Sequence, residues 1–281
     1  MIYIAKYENK VKGEHGIEIT DKTISKEEFD AFFKNFKCYG KLHQFKEIHD
    51  ICLEENHDLS MFLSYKNLND LLRKKQNNTD AILRTANKLL LNYCTVIKIL
   101  IDKISKDLNK KQKEEFDKFC SSCYDNHFSY RFFMRMRNFI IHNNMPFTIV
   151  VRSIKEDCKI CMSKKDILKW DKWNTVKTDI ESFQEERIEI QSLLKDIGST
   201  MYAVYLNGIY YLAPDVLTAC ENVGEFLKKY EVKDFCFIEY DTKGDFEKGK
   251  FQLYPIPINT LLECVDELNK HPSININFVE H

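Results

Sequence analysis

Arg131-Phe132-Phe133-Met134-Arg135-Met136-Arg137-Asn138-Phe139-Ile140-Ile141-His142-Asn143-Asn144-Met145-Pro146 is the stretch around which the chain organises. On a wheel of about 100° per residue, Arg131, Arg135, Asn138 and His142 gather on one face. Phe132, Phe133, Met136, Phe139 and Ile140 share the other, which is the pattern of a helix packed into a bundle core. The polar face is cationic and hydrogen-bonding, where a surface helix ordinarily mixes Lys with Glu. Arginine is scarce elsewhere: seven of the 42 Lys+Arg residues are Arg, and three of those fall between 131 and 137. A guanidinium fork binds oxyanions bidentately and a lysine cannot copy it, so phosphate is the target this clustering suggests. Pro146 stops the helix.

Outward from this segment the chain reads as mainly helical. Thr79–Lys106 is the strongest helix, with Ile82, Ala86, Leu89, Leu90, Tyr93, Val96, Ile97, Leu100, Ile101 and Ile104 at helical spacing. Leu42–Glu55, Met61–Lys75 and Lys110–Ser121 are further helices, with a polar loop at Gln76–Thr79. After Pro146 the character changes: Phe147–Val151, Lys155–Asp157 and Cys158–Met162 read as strand, turn and strand of a β-hairpin. Helix resumes at Asp166–Trp170, and a second long helix is expected from Trp173 to about Leu206.

The flanks are mixed. Ile2–Tyr7 reads as a strand, and Ser25-Lys-Glu-Glu28 is a capping box opening a short helix through Phe29, Phe32, Phe33 and Phe36. Beyond Asn207-Gly208, helices Pro214–Tyr230 and Asn259–Lys270 alternate with strands Phe235–Tyr240 and Lys250–Tyr254. The organisation expected is an N-terminal segment 1–40, a helical domain 41–206 and a small α+β appendage 207–281.

Composition narrows the function classes. A net charge of −1 gives no global field for nucleic acid, so any such contact depends on a local basic patch. Met1-Ile-Tyr-Ile-Ala runs straight into charged residues, so no signal peptide is expected, and no apolar run reaches the length of a membrane span. A cytoplasmic protein with no membrane partner is the expectation, and its ten cysteines then read as reduced thiols or metal ligands. Phosphate loops, dinucleotide fingerprints and Ser-centred hydrolase motifs are absent.

Arg137-Asn138-Phe-Ile-Ile-His142 resembles the motif of HEPN domains, an Arg, a polar residue and then a His after four to six intervening residues. The motif sits late in a helix, a long helix precedes it and a break follows it, as in that family. The resemblance covers residues 60–206 and implies an α-helical bundle that dimerises, so that two motifs line one cleft. It also implies a metal-independent endoribonuclease, without cofactor, of a toxin–antitoxin or phage-defence system. RNA or a nucleotide would be its ligand, and a cognate antitoxin a further partner. Some members of the family only bind, so a non-catalytic nucleotide-, RNA- or protein-binding module is the alternative.

The resemblance makes Arg137 and His142 the primary catalytic residues, with Asn138 beside them and Arg131 and Arg135 as substrate-binding cations. The roles suit RNA cleavage by 2′-hydroxyl attack, which needs a group titrating near neutrality and a permanent cation beside the phosphate. Ideal geometry counts against one point, since Arg137 and His142 lie about 140° apart on the wheel while Arg135 is the face-mate of His142. A symmetric cleft that collects side chains from both flanks accommodates this.

Cys120-x-x-Cys123 and Cys158-x-x-Cys161 form two CxxC pairs, and a Cys₄ zinc site is the weaker alternative they raise. Knuckle glycines are missing, and cysteines three apart in a strand face opposite ways. The metal expectation is therefore none. Trp170 and Trp173 read as packing anchors, and His127, four residues before Arg131, as a helix-start residue or a member of the cationic face.

Overall fold

The structure, a computed structural model, describes residues 1–9, 15–73, 78–152, 158–233 and 235–277. The expected turn at Lys155–Asp157 and the first half of the loop at Gln76–Thr79 lie outside these residues, as does the end of the helix expected to reach Lys75. In chain order the elements begin with β1 (Ile2–Asn9), β2 (His15–Ile24), α1 (Lys26–Lys34), α2 (Lys37–Phe62) and α3 (Tyr65–Arg73). Next come α4 (Thr79–Asp107), α5 (Lys110–Asn126), α6 (Phe128–His142), β3 (Phe147–Val151), β4 (Lys159–Ser163) and α7 (Lys164–Ile167). A 3₁₀ turn (Asp171–Trp173) leads to α8 (Val176–Ser182), β5 (Arg187–Ile188), α9 (Gln191–Tyr210) and α10 (Ala213–Tyr230). The chain ends in β6 (Phe235–Glu239), α11 (Lys243–Glu247), β7 (Gln252–Pro255) and α12 (Ile258–Leu268). It is mainly helical, with small antiparallel sheets.

These elements form two compact units, Met1–His43 with Ile209–His281, and Gln44–Gly208. The N-terminal segment and the C-terminal segment, read from the sequence as separate pieces, therefore belong to one unit. The reason is a shared sheet of order β2-β1-β6-β7, in which Ile4 pairs with Phe237 and Ala5 with Cys236. Phe235, Cys236, Phe237 and Ile238 of the inner strand β6 are all buried, as a strand covered on both faces requires. Phe29 and Phe32 of α1 and Phe226 of α10 pack against Phe237 at ring-centroid distances of 5.3, 5.3 and 5.8 Å. The capping box at Ser25 forms as the sequence predicts: its hydroxyl accepts from the Glu28 N–H at 3.1 Å while the Glu28 carboxylate accepts from Ser25 N–H at 3.1 Å.

In the other unit the apolar stripe of α4 is buried as expected, Leu90, Tyr93, Ile97, Leu100 and Ile104 each at 0% exposure. Each such side chain contributes roughly 1.5–3 kcal/mol relative to an exposed one. Gly208 of α9 lets the two helices approach closely: a Cβ there would stand 2.7 Å from Ile104 Cδ1. β3, β4 and β5 make a three-stranded antiparallel sheet, in which Val150 pairs with Ile160 and Met162 with Ile188.

The long helix expected from Trp173 to Leu206 does not exist. Asn174 takes a left-handed φ of 55° after the 3₁₀ turn, α8 stops at Ser182, and Arg187–Ile188 pairs with β4 before α9 begins. Glu, Gln and Arg in 184–189 favour helix locally, but burying Ile188 and Ile190 against the hairpin overrides that preference. The two early helices stay separate, but the first is longer than expected: α2 runs from Lys37 to Phe62, and the second begins as α3 at Tyr65.

Candidate functional site at the end of helix α6

Helix α6 is seated by its apolar face. Phe132, Phe133 and Met136 are fully buried and Phe139 nearly so. Trp173, also fully buried, stacks on both Phe132 and Phe139, at 6.0 and 5.3 Å, and donates its indole N–H to the Ile167 carbonyl at 2.6 Å. Trp170 meets Phe139 edge-on at 5.7 Å. Both tryptophans are thus the packing anchors the sequence suggests, and the group they anchor is the motif helix.

The chain leaving α6 is pinned as well. Asn87 of α4, buried in the core, donates to the Phe147 carbonyl and accepts from the Phe147 N–H, each at 3.0 Å. An amide paired this way acts as an extra residue of sheet, and it fixes where the chain emerges after His142. Asn143 caps the helix through its N–H to the Phe139 carbonyl at 2.8 Å.

Against this scaffold the predicted site residues separate. Arg131 is fully engaged by the protein. Its Nε and Nη2 form a bidentate pair with the Asp179 carboxylate at 2.7 and 2.9 Å. Its Nη1 reaches the carbonyls of Tyr124 and Asp125 at 3.3 and 3.2 Å. The hydrogen bond to Asp179 raises its pKa. Arg135 donates from Nε to the Tyr124 hydroxyl at 3.2 Å. Asn138 is half-buried.

Arg137 differs from both. Its Nε is buried and, among the described residues, has no hydrogen-bond partner. Its charge acts on the Cys94 thiol of α4: burial pushes that thiol up and Arg137 opposes the shift. His142 is the last residue of α6 and is exposed, where a cation complements the helix dipole. The two arginines thus have different neighbours, Tyr124 of α5 for Arg135 and Cys94 of α4 for Arg137.

At the opposite end of α6 a cavity of about 620 Å³ is lined by His127, Ser129, Ser122, Asp196, Ser199 and Thr200 among others. Arg137, Asn138 and His142 do not line it. A polymer needs an open surface more than an enclosed pocket, so the exposed end of α6 stays the stronger candidate. His127 starts α6 but makes no side-chain cap.

The cysteine pairs do not assemble a metal centre. Cys123 and Cys161 are buried, Cys120 and Cys158 half-buried, and among the described residues no three His, Cys, Asp or Glu are grouped to hold a metal ion. Burial pushes the Cys161 thiol up to about 11 and the Cys120 thiol up to about 12, so both are thiols at neutral pH.

Among the described residues, no helix is long and apolar enough to cross a membrane. No family model, no curated protein and no solved structure matches the chain. The likeness to HEPN domains therefore rests on the motif residues and their helical setting.

Proposed function

We propose that the chain is a metal-independent endoribonuclease of HEPN type. The observation that carries this reading is the Arg137 guanidinium. A buried nitrogen donor without a partner costs about 1–3 kcal/mol, more for a charged group, and an anion that pairs with the guanidinium is the explanation this reading gives it. An exposed histidine follows five residues later at the helix end, the arrangement a phosphodiester substrate can reach.

In the proposed reaction a ribose 2′-hydroxyl attacks the adjacent phosphorus and the 5′-oxygen leaves, giving a 2′,3′-cyclic phosphate. His142 takes the hydroxyl proton or returns one to the leaving oxygen, with its symmetry mate in a homodimer filling the other role. Arg137 stabilises charge building on the phosphate, Asn138 orients it, and the Nη groups of Arg135 are further phosphate donors. Arg131 is assigned to the architecture, because Asp179 and two carbonyls already hold it. The RNA target and a cognate antitoxin belong to the same proposal.

The test is incubation of the purified chain with RNA in excess EDTA, beside His142→Ala. Cleavage to cyclic-phosphate ends in the wild type and its loss in the variant is the expected result. An RNA left intact under all conditions sinks the nuclease reading. Salt-sensitive RNA binding that weakens in Arg137→Ala, without cleavage, would instead establish a binding module.

A further inference from the structure

Where α5 gives way to α6, the two helix ends are satisfied unequally. His127 ends the first helix and starts the second. The last carbonyls of α5 are taken: that of Cys123 by the His127 N–H at 2.9 Å, and those of Tyr124 and Asp125 by Arg131. The first N–H groups of α6 are not. The first N–H to find a helical acceptor is that of Arg131, at the His127 carbonyl, and no side chain caps the helix. Among the described residues the N–H groups of Phe128, Ser129 and Tyr130 therefore have no acceptor. This end of α6 borders the cavity of about 620 Å³, whose wall includes Phe128 and Ser129.

Ser129 is a second and independent sign of a ligand. It is 4% exposed and lines the cavity, and its hydroxyl makes no hydrogen bond among the described residues. Buried polar groups are ordinarily paired. Thr200 of α9, also buried in the cavity wall, shows the ordinary case: its hydroxyl donates to the Asp196 carbonyl at 3.1 Å. The Asp196 carboxylate lines the same cavity and forms no ion pair among the described residues.

We propose that this cavity binds a free α-amino acid with an apolar side chain. Its carboxylate accepts from the open N–H groups of α6 and from the Ser129 hydroxyl, and its ammonium pairs with Asp196. Leu193 and Phe119, which has no ring partner among the described residues, supply an apolar wall for the side chain.

The balance of charge selects this class of ligand. Among the described residues no lysine or arginine lines the cavity, and Asp196 is its one carboxylate. A helix N-terminus carries roughly half a positive charge, which does not offset a phosphate dianion beside Asp196. A zwitterion has no net charge, and each of its ends meets the opposite sign. Arg135, Arg137, Asn138 and His142 do not line this cavity, so the site stands or falls separately from the nuclease reading.

The experiment is calorimetric titration of the full chain with L-leucine and with L-phenylalanine. Each is compared with its amide, which lacks the carboxylate, with its deamino acid, which lacks the ammonium, and with inorganic phosphate. Expected is saturable binding of an amino acid, weakened about tenfold or more in both analogues, since each loses a hydrogen-bonded charge. Ser129→Ala and Asp196→Asn should weaken binding by a similar factor. Asp196 is exposed, so Asp196→Asn and the analogues decide even where Ser129→Ala fails to fold. No binding of either amino acid, phosphate bound in their place, an amide or deamino acid bound equally well, or binding untouched by Asp196→Asn would each overturn the proposal.

Discussion

The two halves of helix α6 hold their arginines in opposite ways. In the first half Arg131 gives every nitrogen to the protein: two to Asp179 and one to a pair of carbonyls. In the second half Arg137 keeps a buried donor unpaired, and His142 stands exposed at the end. An arginine whose partners are all internal locks one helix onto another, here α6 onto α8. An arginine whose buried Nε has no partner among the described residues carries a cost in stability, which the proposed function assigns to a bound phosphate. Thus the first half of the helix is structural and the second half carries the candidate chemistry.

The sharpest way to break this comparison is to mutate one residue on each side and read both activity and stability. For His142→Ala, RNA cleavage should fall by about 10²–10⁴-fold, the usual contribution of a general acid or base, with thermal unfolding unchanged. A His142→Ala variant that cleaves normally would remove the second half from the chemistry.

Trp173 belongs to both halves, because it stacks on Phe132 and on Phe139. Trp173→Ala should therefore cost roughly 3–5 kcal/mol in denaturant unfolding, whatever happens to activity. A loss under about 1 kcal/mol would mean that the apolar seat of α6 is not where the structure puts it.

Asn87 serves the second half alone. Asn87→Ala strands the buried N–H and carbonyl of Phe147, at about 1–3 kcal/mol for each group left unsatisfied. It should also lower cleavage, because the chain after His142 loses its anchor. Arg131→Ala should show the complementary pattern, destabilisation of about 1.5–3 kcal/mol from the lost charged hydrogen bonds, with cleavage per folded molecule preserved. Cleavage lost in step with His142→Ala, at unchanged stability, would move Arg131 back into the substrate site.

The apolar side of this comparison was legible in the sequence and the polar side was not. One-sided periodicity over 79–107 and 128–142 is enough to place α4 and the buried face of α6, since a 3.6-residue repeat has few other uses. The same holds for the capping box at Ser25, whose partners are three residues apart. The role of Arg131 depends on Asp179, 48 residues along the chain, and that of Asn87 on Phe147, 60 residues away. Local pattern carries no trace of either pair. Strand β2 was missed for a related reason: Glu18, Asp21 and Lys22 give it the polar look of an edge strand, and its pairing with β1 is tertiary. Residues 183–190 misled because their helical preference yields to the pairing of β5 with β4.

The finest division left is between Arg135 and Arg137. Helix geometry gives Arg135 to the face of His142, while the motif gives the phosphate to Arg137. Among the described residues Arg135 makes one hydrogen bond, to the Tyr124 hydroxyl at 3.2 Å, so Arg135→Gln should cost only about 0.5–1.5 kcal/mol in stability. Its effect on cleavage should be correspondingly modest, and it should appear mainly as weaker RNA binding at low salt with a shallower salt dependence, the signature of one lost phosphate contact. Arg137→Gln should instead lower the rate at saturating RNA, because its charge is needed most when the phosphate becomes dianionic. If the two variants exchange these signatures, the geometry of a single helix has chosen the cation and the motif spacing has not. The phosphate site would then lie on the face shared by Arg135 and His142.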